Sequence, residues 1–139
     1  MSSTVLGFDF GTQKIGVASG QSLTGTGAPL PALRCRDQAP DWAAIEALIN
    51  EWQPDALVVG LPLNMDDSES PLSQQARRFA RRLNGRFGKP VWMVDERLST
   101  REAREQMGEH YRGGADSRVD SLAAALIIET YFSEGGIAP

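Results

Sequence analysis

The sequence predicts an α/β protein in which a mixed five-stranded sheet is covered by helices on both faces. Three observations support this architecture. The chain opens with a strand–turn–strand pattern, later contains a continuous apolar run typical of a buried parallel strand, and then alternates helical patterns with strands. Hairpin strands pair antiparallel and helix-linked strands pair parallel, so a sheet built from both is mixed.

The first three strands are predicted in the N-terminal quarter of the chain. Residues 5–10 and 15–18 flank Gly11-Thr12, which suits a tight turn between antiparallel strands. Glycines at 7 and 11 would let a phosphate or a second backbone come close to Asp9. Residues 28–33 form the third strand, and their prolines, which lack the N–H that a central strand needs, place it at an edge of the sheet.

Helices and strands alternate after residue 40. Asp41 is a predicted N-cap, and apolar residues at helical spacing follow until Pro54 ends that helix. Residues 56–61 predict a buried parallel strand. Ser70-Pro71 begins a second helix, which carries an apolar stripe and four arginines and which Gly85 is expected to close. The stripe consists of Leu72, Ala76, Phe79, Ala80 and Leu83.

The last third of the chain predicts one more strand and two helices. Residues 91–94 form the strand, and the capping-box pattern at 99–102 begins a short helix to about residue 107. A glycine-rich loop at 108–115 precedes the last helix, which runs from Ser117 to about Phe132 before a fraying tail. Its apolar side is predicted to consist of Val119, Leu122, Ala123, Leu126 and Thr130.

Length and composition exclude several classes of protein. The 139 residues suit one domain, residues 1–139, and the single cysteine, Cys35, excludes an intramolecular disulfide. A net charge of −4 provides no global basic field, so nucleic-acid binding would need a local basic patch. No apolar run approaches the roughly 20 residues that cross a bilayer, and the N-terminus lacks a signal-peptide pattern. We therefore expect a cytoplasmic protein without a membrane partner.

Three acidic residues stand at similar places in the predicted fold. Asp9 lies near the end of the first strand, Glu96 follows the last strand, and Asp120 lies at the start of the last helix. Sites in open α/β sheets form at the carboxyl ends of strands, so the three side chains are expected at one edge. Clustered carboxylates repel one another, and two magnesium ions bridged by such acids are a standard device for phosphodiester hydrolysis.

Each acid also has a structural interpretation. Asp9 could begin the turn, Asp120 could complete a capping box with Ser117, and Glu96 could form a surface ion pair with Arg97. The occurrence of all three at one predicted edge favours the metal site.

Four ordered blocks of sequence resemble the YqgF family, whose bacterial members are proposed Holliday-junction resolvases and are also described as nucleases of pre-16S ribosomal RNA. The blocks cover residues 7–12, 59–66, 95–100 and 119–124. The resemblance implies a ribonuclease H-like fold related to the RuvC resolvases and hydrolysis that depends on Mg²⁺, with Mn²⁺ as the alternative ion. By block position, the family's catalytic and metal-binding acids fall on Asp9, Glu96 and Asp120.

Two positions of this chain differ from the family pattern for the second acid. Many relatives carry an acid where this chain has Ser19-Gly20, and RuvC-type resolvases have one after the fourth strand, where this chain has Gly60-Leu61-Pro62-Leu63 and Asp66 follows further into the loop. Glu96 is our choice for the second acid, with Asp66 or Asp95 as the alternative.

Several basic residues are candidates for substrate binding. Lys14, Arg97 and Arg118 are predicted to contact phosphate, whereas the arginines of helix 71–84 are either phosphate ligands or a solvated face. Structured RNA is the first expected substrate, and a four-way DNA junction is the second. Two further hypotheses are a non-catalytic nucleic-acid-binding factor and an ATPase lobe. Both a monomer and a homodimer are compatible with the sequence.

Overall fold

A computed structural model describes residues 3–98 and 117–139, and its five strands form one mixed sheet. The strands are β1 (Thr4–Asp9), β2 (Lys14–Gln21), β3 (Thr26–Arg34), β4 (Ala56–Leu61) and β5 (Val91–Asp95), in the order β3-β2-β1-β4-β5. The β3-β2-β1 pairs are antiparallel and the β1-β4-β5 pairs are parallel. This confirms the predicted sheet, with β3 at an edge.

Three α-helices and two 3₁₀ turns complete the described structure. The helices are α1 (Trp42–Trp52), α2 (Pro71–Phe87) and α3 (Leu122–Glu134), and the 3₁₀ turns are Glu96–Leu98 and Ser117–Ser121. The predicted helix at 99–107 and the loop at 108–115 lie outside the described residues. Within the described part of the chain, none of the helices is long and apolar enough to cross a membrane.

The sheet separates two apolar cores because alternate residues of each strand face opposite sides. Leu6 and Phe8 of β1 belong to the core that also contains residues of α1 and α2. Val5 belongs to the other core, where α3 contributes four buried side chains. These are Ala124, Ala125, Ile127 and Ile128. Helices therefore cover both faces, as predicted.

Local capping chemistry begins α1 and α2. Asp41 caps α1 by accepting a hydrogen bond of 3.1 Å from the backbone N–H of Ala44. Ser70 caps α2 in a reciprocal capping box with Ser73, and Pro71 occupies the first turn.

The predicted end of α2 is wrong. The helix continues through Gly85 to Phe87, and Gly88 ends it in the left-handed conformation with φ of 65°. Leu72, predicted to lie in the apolar stripe, is also 38% exposed, whereas Ser73 beside it is buried. The Ser73 hydroxyl donates to the backbone oxygen of Pro62, which explains how a polar side chain is tolerated there.

Glycines in β1, β2 and β3 let α3 approach the sheet closely. A Cβ atom at Gly7 would lie 3.0 Å from the backbone oxygen of Ala124, and one at Gly27 would lie 2.5 Å from that of Ala125. Gly20, which pairs with Gly27 across β2 and β3, makes room for the side chain of Ile128 on the same helix. Of the two predicted roles for Gly7, the approach of a second backbone is therefore the one observed.

The predicted apolar side of the last helix is only partly confirmed. Leu122 and Leu126 are buried, whereas Val119 is 39% exposed because it lies in the 3₁₀ turn of residues 117–121 and the α-helix begins only at Leu122. A 3₁₀ turn has three residues per turn, so a stripe extrapolated from Val119 at helical spacing leaves out Ala124, Ala125, Ile127 and Ile128, which belong to the core under the sheet.

The prediction that the chain frays after α3 is wrong. Gly135 has φ of 80°, and the chain then turns back along β5. The backbone groups of Ile137 and Met93 exchange two hydrogen bonds of 2.8 Å. Gly136 fits beside Trp92, where a Cβ atom would lie 2.7 Å from the Trp92 Cβ.

Candidate active site

Asp9 is the last residue of β1 and lies on the face of the sheet that α3 covers. Strand alternation places it on the same side as Val5 and Gly7, with Phe8 on the opposite side. Its side chain is half-buried. Among residues 3–98 and 117–139, nothing forms a hydrogen bond or ion pair with the Asp9 carboxylate, which therefore remains available to a ligand.

Glu96 folds back over β4 beside Asp9. A Cβ atom at Gly60 would lie 2.5 Å from Glu96 Oε1 and 2.9 Å from Glu96 Cγ, so glycine at this position leaves room for Glu96 in its present conformation. Phe8 pairs with Val59 in the parallel β1-β4 register, and Gly60 follows Val59 as Asp9 follows Phe8. Glu96 thus lies over the strand next to Asp9.

Asp120 is carried over the strand on the other side of Asp9. Gly16 of β2 pairs directly with Asp9, and a Cβ atom there would lie 2.5 Å from the Asp120 backbone oxygen. The Asp120 carboxylate accepts a hydrogen bond of 2.9 Å from Lys14 Nζ, and the two side chains are 39% and 57% exposed. The segments that carry Glu96 and Asp120 therefore cover the two glycines, Gly60 and Gly16, that flank Asp9.

Ser121 anchors the 3₁₀ turn that holds Asp120. Its hydroxyl is fully buried and accepts a hydrogen bond of 2.9 Å from the backbone N–H of Val17. The β2-β3 register shifts at this point, because Ile15 pairs with Leu33 whereas Val17 pairs with Leu30. Ser121 thus binds a β2 amide beside an irregularity in the ladder.

Replacing Ser121 with Ala is expected to lower the free energy of unfolding by about 1–3 kcal/mol, because a buried N–H loses its acceptor. Cleavage should also slow, because the turn that carries Asp120 loses its attachment to β2. Urea denaturation and a cleavage assay test both effects. The matched control is Ser133→Ala, whose hydroxyl is exposed and bonds only to Glu134 among the described residues. Equal stability of the two variants would contradict this role.

Arg97 has a dense set of protein contacts. Its guanidinium donates to both Asp95 carboxylate oxygens, to Asp67 Oδ1 at 2.7 Å and to the backbone oxygen of Asn64 at 2.9 Å. These contacts make Arg97 the organiser of the loop between β4 and α2. Asp95, one alternative for the second acid, is occupied by this arginine, and Asp66, the other, accepts hydrogen bonds from Ser68 in the same loop.

The Arg97 contacts predict a stability that depends on pH. Hydrogen bonds from Arg97 hold the pKa of Asp95 below its ordinary value. A lowered folded-state pKa stabilises the fold above the unfolded value of about 4, and this stabilisation is lost as the pH falls through the folded pKa. The difference in unfolding free energy between the wild type and Arg97→Met should thus shrink as the pH falls from 7 towards 3. Urea denaturation at each pH measures it, and a constant difference would contradict the coupling.

The residue types at this edge fit a magnesium site, although the ligands are not assembled. Within the described ranges, no three His, Cys, Asp or Glu side chains lie close enough to hold one ion. Carboxylate oxygens are the ligands that Mg²⁺ prefers, and Asp9 has no competing partner in the described part of the chain. Lys14 balances the charge of Asp120 in this arrangement and would have to release it to a metal ion.

Other residues singled out in the sequence lie around this edge. Arg118 is exposed in the same 3₁₀ turn as Asp120. The Cys35 thiol lies 3.6 Å from the backbone oxygen of Gly11, and burial raises its pKa, which does not favour a reactive thiolate. Sequence reasoning missed Gly16 and Gly60, although a glycine inside a strand pattern is a signal of close approach.

Comparison with known proteins decides the family. The sequence model of the family described as "RuvX: Holliday junction resolvase" matches residues 3–134. The chain belongs to the RuvX family. This is the family that the four sequence blocks resemble under the name YqgF, so that prediction is confirmed.

Curated RuvX relatives match almost from end to end. A protein of Alcanivorax borkumensis is 61% identical over 129 residues, which are 93% of this chain and 95% of the relative. A protein of Salmonella arizonae is 56% identical over 137 residues, which are 97% and 99% of the two chains. Both carry the name "Putative pre-16S rRNA nuclease". Nucleases and resolvases hydrolyse phosphodiester bonds of nucleic acids, and the RuvX family is accordingly one of hydrolases.

Solved structures confirm the predicted fold. Thermus thermophilus RuvC superposes with a TM-score of 0.59 over 98% of this chain and 99% of its own, at 16% identity. The fowlpox virus Holliday junction resolvase gives a TM-score of 0.55 over 94% of this chain and 98% of its own, at 11% identity. Resolvases of this type have a ribonuclease H-like fold, which the RuvX chain shares.

Proposed function

We propose that this chain is a metal-dependent endonuclease that processes the 5′ end of pre-16S ribosomal RNA in the bacterial cytoplasm. The proposal is based mainly on the segments that carry Glu96 and Asp120, which lie over Gly60 and Gly16 on the two sides of Asp9. Asp9 itself has no hydrogen-bond or ion-pair partner among the described residues. The names of the close relatives support RNA as the substrate class. We also propose that residues 1–139 act as a single domain.

Each predicted site residue has a role in this proposal. Asp9, Glu96 and Asp120 would hold Mg²⁺, with Mn²⁺ as the substitute. When bound, the metal would supply Lewis acidity that activates water and offsets charge on the phosphate. The mechanism that we favour uses two such ions. Lys14, once separated from Asp120, would contact the phosphate, and the exposed Arg118 would do the same from the neighbouring turn.

Arg97 has a different part in the mechanism that we favour. Its described contacts with Asp95 and Asp67 would keep the loop after β4 in place at the site edge. Any contact with phosphate would compete with these two carboxylates. Arg97 would therefore act mainly by positioning, although the sequence predicts it as a phosphate ligand.

Resolution of four-way DNA junctions is the second candidate. The RuvX family description and the shared fold with two junction resolvases favour it. Symmetric cleavage of two strands requires two active sites, so this activity would need a homodimer, whereas cleavage of one RNA strand needs only a monomer.

A parallel cleavage assay separates the candidates. The purified protein is incubated with Mg²⁺ or Mn²⁺ and either a 5′ fragment of pre-16S RNA or a four-way DNA junction, with Asp9→Asn as the inactive control. Cleavage of RNA alone supports the ribonuclease, and symmetric nicking of the junction supports the resolvase. If the wild type cuts neither substrate and equals the variant, the chain is better explained as a non-catalytic nucleic-acid-binding factor.

A further inference from the structure

A groove opens on the α1/α2 side of the sheet, opposite the α3 side that Asp9 faces, and it reaches the β1–β2 turn that follows Asp9. It has a volume of about 220 Å³ and begins at Phe10 and Thr12, immediately after Asp9. Pro40 and Arg78 are among the residues that line it. A second cavity of about 610 Å³ shares Pro40 and continues past Arg36. We call these two adjoining cavities the arginine groove.

The charge of the arginine groove is opposite to that of the whole chain. Four arginines line it, and within residues 3–98 and 117–139 none of them forms an ion pair with a carboxylate. They are Arg34, Arg36, Arg78 and Arg82. Asp41 is the one acidic residue among the described lining residues, and its carboxylate caps α1. A local positive surface of this kind attracts a polyanion even though the net charge is −4.

The Trp42 ring packs against two arginine guanidinium groups, one of which lines the groove. The guanidinium of Arg82 lies 5.0 Å from the centre of the Trp42 ring, and that of Arg86 lies 4.2 Å from it. Phe79 stacks on the same indole with ring centres 5.7 Å apart. The ring is therefore already engaged by protein groups, which makes the groove a site for phosphate groups rather than for stacked bases.

We propose that the arginine groove binds the phosphodiester backbone of the substrate strand next to the cleavage site. Phe10 and Thr12 connect the groove to Asp9, so a strand that crosses the hairpin turn between β1 and β2 would contact both surfaces. This inference rests on the proposed nuclease function, because it takes the groove's ligand to be the same nucleic acid. It also separates the arginines of α2 into a group that faces the groove and a group that does not.

Two charge reversals on one helix test the proposal. Arg78 and Arg81 are both exposed on α2, but only Arg78 lines the groove. Binding of fluorescein-labelled RNA and of a labelled four-way DNA junction is measured by anisotropy in 150 mM KCl with EDTA, where cleavage does not interfere. We expect Arg78→Glu to raise the Kd about tenfold, because it places a negative charge in the groove, and Arg81→Glu to raise it less than about threefold, because Arg81 does not line the groove and salt weakens its through-solvent effect.

The binding experiment can fail or succeed independently of the nuclease assay. A larger Kd for Arg78→Glu than for Arg81→Glu supports the groove, whereas equal effects, or no binding by the wild type, overturn it. If Arg78→Glu is misfolded by circular dichroism, Arg36→Glu in the second cavity decides by the same comparison. Undiminished cleavage by Asp9→Asn would overturn the proposed catalytic site alone, since binding in EDTA is measured independently.

Discussion

Replacing Asp9 with Asn is expected to lower the cleavage rate by at least about 100-fold while leaving the fold intact. The substitution keeps the shape of the side chain but removes the negative charge that a divalent cation requires from its central ligand. Asp9 makes no hydrogen bond or ion pair with the rest of the described structure, so no described contact of the fold depends on its charge. Single-turnover cleavage of the preferred substrate measures the effect.

The stability of Asp9→Asn separates a catalytic role from a structural one. Asp9 is half-buried and makes no described hydrogen bond or ion pair, so its replacement by Asn should leave the free energy of unfolding unchanged or raise it by up to about 1 kcal/mol. Glu51→Gln, on the exposed side of α1, is the matched control and should change neither quantity. A variant that loses activity and stability together would contradict the assignment of Asp9 as a ligand.

Replacing Gly27 with Ala is expected to destabilise the fold by about 1–3 kcal/mol or more. The new Cβ atom would lie 2.5 Å from the Ala125 backbone oxygen and 3.0 Å from the Ala125 Cα, and helix backbone cannot yield as a flexible side chain can. Because α3 follows directly on the turn that carries Asp120, its displacement should also slow cleavage. Urea denaturation gives the stability change.

Gly85→Ala is the matched control, with the opposite expected sign. Gly85 lies within α2, and a Cβ atom there would meet nothing within 4 Å among the described residues. Alanine in a helix is favoured over glycine by about 1 kcal/mol, so this variant should be more stable than the wild type. If Gly27→Ala were also neutral or stabilising, α3 would not approach the sheet as closely as described.

The parts of the fold that could be predicted from the sequence depend on local chemistry. Asp41 and Ser70 cap helices through groups three residues away, and residues 56–61 alternate between two apolar cores, so a continuous apolar run identified a buried strand. The prediction failed where the sequence offers two local signals for the same feature, as at the end of α2. Both Gly85 and Gly88 could end α2, and only the backbone conformation at Gly88 decides between them.

The candidate site could be predicted as a set of residue types but not as an arrangement. Acids after strands at one sheet edge were visible in the sequence, since the topology brings those ends together. The ion pair between Lys14 and Asp120 joins residues 106 positions apart, and the Ser121 hydroxyl meets Val17 where the β2-β3 register shifts. Such contacts depend on tertiary packing, which no periodicity in the sequence encodes.

The return of the C-terminal segment along β5 has a consequence for self-association. Ile137 occupies backbone groups of Met93 that would otherwise be open on one outer strand, and Pro29 and Pro31 remove two donors from β3, the other outer strand. Within the described residues, each outer strand therefore offers fewer free backbone groups with which a second molecule could extend the sheet. For two copies that cooperate on a branched substrate, contacts through helices or loops are favoured, and these would set the spacing between their catalytic centres.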